Sequence, residues 1–171
     1  MRAADLRWTS PSPEATHEAA RLLGAAVDAA GLVLALVGPL GAGKTAFVKG
    51  LAQGLGLDPA GVASPTFVIS SEYPTPGGLR LAHLDWLRVE SEGELEAAGF
   101  LDLLVPGVVL AIEWSDRFPA ALPADRLALT LTRPSDPGAA SRRELNAVAF
   151  GPVSQAALAR WRAALEPDRA G

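Results

Sequence analysis

Both lysines of the chain fall in one short segment, GPLGAGKTAFVKG, Gly38 to Gly50. Gly38, Gly43, Lys44 and Thr45 satisfy G-x-x-x-x-G-K-[ST], with an apolar run before it and a helical pattern after it. In that context the spacing grips phosphate. Gly38, Gly41 and Gly43 let the backbone bend back so that successive N–H groups converge on an anion, and the following helix adds its dipole. Lys44 brings an ammonium to the terminal phosphates, and the Thr45 hydroxyl suits Mg2+. Ala42 and Ala46 lie in the same turn and join the nucleotide-contacting set. Lys49, five residues past Lys44, turns away around the helix into solvent.

Guanine is usually read by an N-K-x-D segment, and with both lysines committed none exists here. ATP is therefore the default nucleotide. Two carboxylates stand at the ends of apolar segments: Asp85 closes LRLAHLD and Glu113 closes VVLAIE. A phosphate-loop site needs a carboxylate near Mg2+ and a group that orients an attacking water, and neighbouring strand ends supply both. Lys44, Asp85 and Glu113 are the candidate catalytic residues; Thr45, Glu113 and Asp85 are the candidate magnesium set. The competing reading makes Asp85 a turn or cap residue. Glu113 is harder to dismiss, because a charge after five apolar residues is costly unless solvated or paired. Trp114 is either core or a flat surface beside the nucleotide. His83 reads as an oriented polar residue of the core, and His17 as surface. In VASPTFVISSEY, Ser64 and Thr66 flank a stiff proline. That segment is a plain turn into a strand, or a switch whose hydroxyls sense the γ-phosphate.

These residues need a scaffold. Ser12, Pro13 and Glu14 form a helix start, and helical spacing runs from Ala19 to Ala30, with Gly31 as the stop. Leu32 to Val37 and Val108 to Glu113 are continuous apolar runs, as in strands buried on both faces. Lys44 to Leu55 reads as a helix ending at Gly56. Phe67 to Tyr73 and Leu79 to Asp85, joined by TPGG, predict an antiparallel hairpin. A helix is expected over Ser91 to Ala98, strands over Arg126 to Thr132 and Glu144 to Phe150, and a closing helix over Ser154 to Leu165. The result is an α/β three-layer sandwich of P-loop NTPase type, with a mixed sheet, forming a single domain over residues 1–171.

Composition agrees with that class. The chain has 171 residues, 49% hydrophobic and 20% charged, enough for one full core. Zero cysteines exclude a disulfide framework and thiolate metal sites. The longest apolar run is strand-sized, and no secretory pattern opens the chain, so a cytoplasmic protein is expected. A net charge of −4 argues against a protein that holds nucleic acid by itself.

In order and spacing, LVGPLGAGKTAFVKGLAQGLG, VASPTFVISSEY, HLDWLR and AIEWSDRFP resemble the bacterial TsaE proteins, the ATPase component of tRNA threonylcarbamoyladenosine synthesis. The resemblance runs from about Ser12 to about Val148. It implies ATP and Mg2+ at the loop, with Lys44 on the phosphates and Thr45 and Glu113 at the cation. It implies further that Asp85 is an acidic group needed for hydrolysis, Ser64 to Thr66 a switch, and Trp114 a neighbour of the nucleotide. It also brings the helix start near Pro13 and Thr16 toward the base. The implied partners are the proteins TsaD and TsaB, which carry out the transfer that ATP hydrolysis here would energise; tRNA is met only indirectly. One departure is visible: the family usually has tyrosine in H-x-D-x-Y-R, and this chain has Trp86. Arg88 matches, whereas Arg142 and Arg143 align loosely. A small-molecule kinase and a non-catalytic nucleotide sensor remain as alternatives.

Overall fold

The computed structural model describes residues 4–65 and 69–166. Strands β1 (Ala4–Ser10), β2 (Leu32–Val37), β3 (Ser70–Pro74), β4 (Arg80–Asp85), β5 (Val108–Glu113), β6 (Leu127–Thr132) and β7 (Arg143–Ala149) form one sheet. Its order is β1-β7-β6-β2-β5-β4-β3. The four central strands β6, β2, β5 and β4 run parallel. The hairpin β3–β4 flanks them on one side and β7 and β1 extend the other, all three pairings antiparallel. The sheet is therefore mixed, with the expected hairpin closed by the turn in which the Thr75 N–H donates to Leu79 O at 2.8 Å.

Helices α1 (Pro13–Ala26), α2 (Lys44–Gly54) and α4 (Pro152–Leu165) share one hydrophobic cluster with Leu34, Leu36, Val109, Leu129 and Ala147 from the sheet. On the opposite face α3 (Glu92–Ala97) and a turn over Phe100–Leu103 pack with Leu84, Leu110 and Ile112. This second outer layer is thin. Over β6, β7 and β1 the same face of the sheet carries polar Thr130, Asn146 and Arg7, aligned in register.

Helices α1 and α2 approach backbone to backbone. A methyl group on Gly24 would lie 2.2 Å from the Leu51 carbonyl oxygen, and one on Gly54 2.0 Å from that of Arg21. Small residues at this crossing press α2 against the sheet and fix where its N-terminus emerges. Trp161 of α4 locks the layer from outside: its indole N–H donates to Ala19 O at 2.7 Å, and its ring meets Phe47 edge-on.

Most element ends fall within one or two residues of the sequence reading, and the larger departures are at α1, β3 and β1. Helix α1 stops at Ala26, before Ala30, because Val27 is extended and the Asp28 carboxylate takes the Ala30 N–H at 3.0 Å. Gly31, at φ 81°, then turns the chain into β2. Strand β3 begins at Ser70, and Phe67 and Val68, assigned to it from sequence, lie outside the described residues. Strand β1 was not anticipated. It is an edge strand whose alternation, Leu6 and Trp8 inward with Arg7 and Thr9 outward, has meaning only once β7 lies beside it.

Candidate phosphate-binding site

Parallel strands deliver their carboxyl ends to one edge of the sheet, where open α/β sheets bind ligands. Here β2 ends in the glycine loop, and Glu113 of β5 lies between Leu36 of β2 and Asp85 of β4 in the register. The period of two turns His83, Asp85 and Glu113 toward the α2 face, while Leu84 and Ile112 enter the opposite cluster.

The loop is held tightly. A methyl group on Gly38 would sit 2.4 Å from Leu131 O, so this position brings β2 close against β6. Gly41 and Gly43 have φ of 77° and 104°, in the left-handed region that side chains rarely enter. The Ala42 N–H closes the turn onto Pro39 O at 3.0 Å. Gly43 is the N-cap of α2 and offers no side chain to cap it. The first N–H groups of a helix lack intrahelical partners, so at α2 they face the loop's concave side. Ala42 is buried and Ala46 exposed.

Lys44 is 5% exposed, and its Nζ donates to Gly38 O at 2.5 Å and Pro39 O at 3.1 Å. Burial lowers its pKa below the ordinary lysine value, partly opposed by Glu113, Asp116 and Asp85. Its ammonium also lies 4.0 Å from the ring centroid of Trp114, a cation–π contact. Trp114 has φ 58°, a positive value among the described residues otherwise confined to glycine. Holding a bulky residue there costs of order 1–3 kcal/mol, and such strain concentrates at functional positions. Trp114 is half-buried, so it packs against the second cluster and still faces Lys44.

Glu113 is 3% exposed and fully engaged. The Thr45 hydroxyl donates to its carboxylate, 2.9 and 3.1 Å from the two oxygens, and His83 Nε2 lies 2.6 Å from Oε2. An ionised carboxylate only accepts, so His83 donates through Nε2. Its buried Nδ1 has no partner among the described residues. Asp85 accepts from the Ser64 hydroxyl at 3.1 Å and from the Leu87 N–H at 2.9 Å. Leu40, Leu87 and Trp114 rim this pocket, with Lys44, Thr45, Ser64, Asp85 and Glu113 as its polar lining.

The donor set suits a hard cation: one hydroxyl and carboxylates on adjacent strand ends, all oxygen. Among the described residues no three His, Cys, Asp or Glu side chains form a cage of their own. Mg2+ is commonly held this way, by one or two protein oxygens completed by phosphate and water.

Most of the residues named from sequence thus converge. Thr66 lies outside the described residues. Thr16 is buried, its hydroxyl donating to Ser10 Oγ at 2.6 Å and also close to Ser12 O. His83 is the oriented core residue expected of it, and His17 pairs with Gln53 at the surface. Trp86 is fully buried, edge-on to Phe100 and Phe118, with its indole N–H unpartnered among the described residues. Two arginines to which the sequence reading gave no role reach the loop. Arg133, just past β6, donates to Gly41 O at 2.7 Å, and Arg143 Nε donates to Ala42 O at 2.9 Å. Arg142, beside it, is exposed. Only the placement of β6 next to β2 brings these side chains to the loop, and no local pattern announces it.

A family model described as threonylcarbamoyl adenosine biosynthesis protein TsaE matches residues 10–144. A tRNA threonylcarbamoyladenosine biosynthesis protein TsaE of Bacillus subtilis is 40% identical over 146 residues, 85% of this chain and 87% of its own. The protein of the same description from Treponema pallidum is 35% identical over 126 residues, 74% of this chain and 90% of its own. The crystal structure of Bacillus subtilis YdiB superposes with a TM-score of 0.69 at 32% identity, covering 95% of this chain and 97% of that one.

Proposed function

The chain belongs to the TsaE family, and from that premise we propose that it is a Mg2+-dependent P-loop ATPase acting as one unit over residues 1–171. Family membership gives it a role in tRNA threonylcarbamoyladenosine biosynthesis. In this reading ATP hydrolysis energises turnover of a TsaD–TsaB assembly that performs the transfer to tRNA. The protein works in the cytoplasm with those partners and meets tRNA only through them. Among the described residues no helix is long and apolar enough to cross a membrane.

The observation that carries the proposal is the hydrogen bond from Thr45, at the first turn of α2, to Glu113 across 68 residues. It joins the phosphate loop to a strand-end carboxylate, the two halves of a P-loop site. The loop amides and Lys44 hold the β- and γ-phosphates, and the Trp114 ring steers the ammonium. Thr45 and Glu113 hold the cation, with Asp85 beside them; bound there, Mg2+ neutralises charge developing on the phosphate oxygens. His83 keeps the Glu113 carboxylate oriented. Asp85, tied to Ser64, orients the attacking water and couples it to the segment running toward Thr66.

The test is phosphate release from ATP by the protein with TsaD and TsaB present, alongside tRNA modification. Partner-dependent release that disappears in Lys44→Ala supports the proposal. Stoichiometric transfer of phosphate to a metabolite would make the protein a kinase instead. Nucleotide binding without any release would make it a sensor.

A further inference from the structure

We propose that Arg143 and Arg133 are positioning residues that hold the phosphate loop in its anion-binding shape from outside; the inference rests on the phosphate-site reading above. Both guanidinium groups donate to loop carbonyls, Arg143 to Ala42 O and Arg133 to Gly41 O. A trans peptide directs its C=O and N–H to opposite sides. Anchoring Ala42 O outward therefore aims the Gly43 N–H inward, toward the concave side that receives phosphate. Anchoring Gly41 O in the same way aims the Ala42 N–H across the turn, where it meets Pro39 O.

The loop needs such a hold. Gly41 and Gly43 are free to populate either sign of φ, so the peptide between Ala42 and Gly43 can flip at little steric cost. A flipped carbonyl would point its negative end at the anion. Arg143 opposes the flip with a fork. While Nε holds Ala42 O, Nη1 donates to Ala140 O at 3.0 Å and Arg142 O at 2.7 Å, which splints the loop to the connection between β6 and β7. A lysine has no planar fork that spans these acceptors.

Charge supplies a second, independent argument. Among the described residues neither Arg133 nor Arg143 pairs with a carboxylate; both are spent on carbonyls. Two cations held side by side without an acid repel each other, and an anion in the loop relieves that repulsion.

The experiment compares wild type, Arg143→Ala, Arg143→Lys and Arg133→Ala by titrating fluorescently labelled ADP and by thermal melting without nucleotide. Arg143→Ala is expected to weaken ADP about 10- to 100-fold, the worth of one hydrogen bond to a charged group, with the melting temperature little changed. Arg143→Lys is expected to recover only a minor part of that loss, and Arg133→Ala to show a smaller loss of the same kind. Should Arg143→Ala not fold, the other two variants carry the test. Full rescue by lysine overturns the positioning role, because charge alone would then suffice. So does wild-type affinity in both alanine variants, or in Arg143→Lys together with Arg133→Ala. If wild type itself binds no ADP, the phosphate-site reading fails and takes this inference with it.

Discussion

Replacing Glu113 by glutamine separates nucleotide binding from turnover, and the geometry sets the size of each effect. The carboxylate is almost wholly buried and takes two donors, the Thr45 hydroxyl and His83 Nε2. An amide of the same shape keeps one acceptor oxygen for His83 Nε2. Its NH2 group meets the Thr45 hydroxyl, which can turn to accept, so what is lost is the charge that strengthened both bonds. A lost charge-assisted bond costs roughly 1.5–3 kcal/mol. Removing a buried anion returns a desolvation cost of several kcal/mol, of opposite sign. The net change in stability is therefore small, about 1 kcal/mol or less, or roughly 2–4 °C in melting temperature for a chain of this size. Binding of ADP without Mg2+ relies on loop amides and Lys44, which are untouched, so affinity stays within about threefold, under 1 kcal/mol. Turnover is different. In the proposed mechanism Glu113 holds the cation, whose stabilisation of transition-state charge is worth several kcal/mol, so its loss lowers phosphate release by about 10²- to 10⁴-fold. The assay is single-turnover phosphate release with TsaD and TsaB present, run beside an ADP titration and a melt. Near wild-type release in Glu113→Gln would remove this carboxylate from the chemistry. Loss of ADP binding in a folded variant would show that it only props up the loop.

Three further outcomes test other parts of the structure. Burial lowers the Lys44 pKa despite Glu113, Asp116 and Asp85, so its ammonium loses its proton at lower pH than a free lysine. ADP affinity should therefore fall as pH rises, with a midpoint below about 10.4; an affinity constant up to that pH would contradict the assignment of Lys44 to phosphate. Gly24→Ala places a methyl group 2.2 Å from Leu51 O between α1 and α2. Helix propensity alone would favour alanine by about 1 kcal/mol, yet overpacking costs about 1–3 kcal/mol, and urea unfolding should show a net loss; a stabilised variant would refute the close crossing. Asp125 accepts from the Val153 and Ser154 N–H groups at the start of α4. Burial alone would raise its pKa, but those hydrogen bonds outweigh it and the pKa is lowered. A lowered carboxylate pKa stabilises the fold above the unfolded value, about 3.9, and that stability is lost as pH falls through the folded value. Asp125→Ala should thus cost about 1 kcal/mol at pH 7, and its unfolding curve should approach wild type at pH 3; an equal deficit at both pH values would contradict this origin.

What the sequence reveals of this site depends on how far each contact reaches. Strands β2 and β5 are legible because both faces are buried and the run is uniformly apolar. Helix α2 is legible because its glycine-rich entry and its periodicity are local. Glu113 stands out as a charge that no buried strand end tolerates without partners. The identity of those partners is not local: Thr45 lies 68 residues away and His83 lies 30 away. Arg133 and Arg143 are further from their acceptors, at 92 and 101 residues, and nothing in their own neighbourhood distinguishes them from solvated surface charge. The left-handed backbone at Trp114 is equally silent in sequence, since a bulky aromatic is a poor predictor of positive φ.

What converts these separate residues into one site is the register between β4 and β5. Asp85 pairs with Glu113, and His83 pairs with Ala111. Side chains alternate faces with a period of two, so this pairing sends His83, Asp85 and Glu113 together toward the N-terminus of α2. A slip of one residue along β4 would turn His83 and Asp85 into the cluster of Leu110, Ile112 and Phe100, and bring Leu84 against the Glu113 carboxylate. The buried anion would then lose its imidazole donor, and two polar groups would enter an apolar layer. The same hydrogen bond that orients Glu113 thus penalises the wrong pairing of its strand, which ties the specificity of the fold to the geometry of the candidate site.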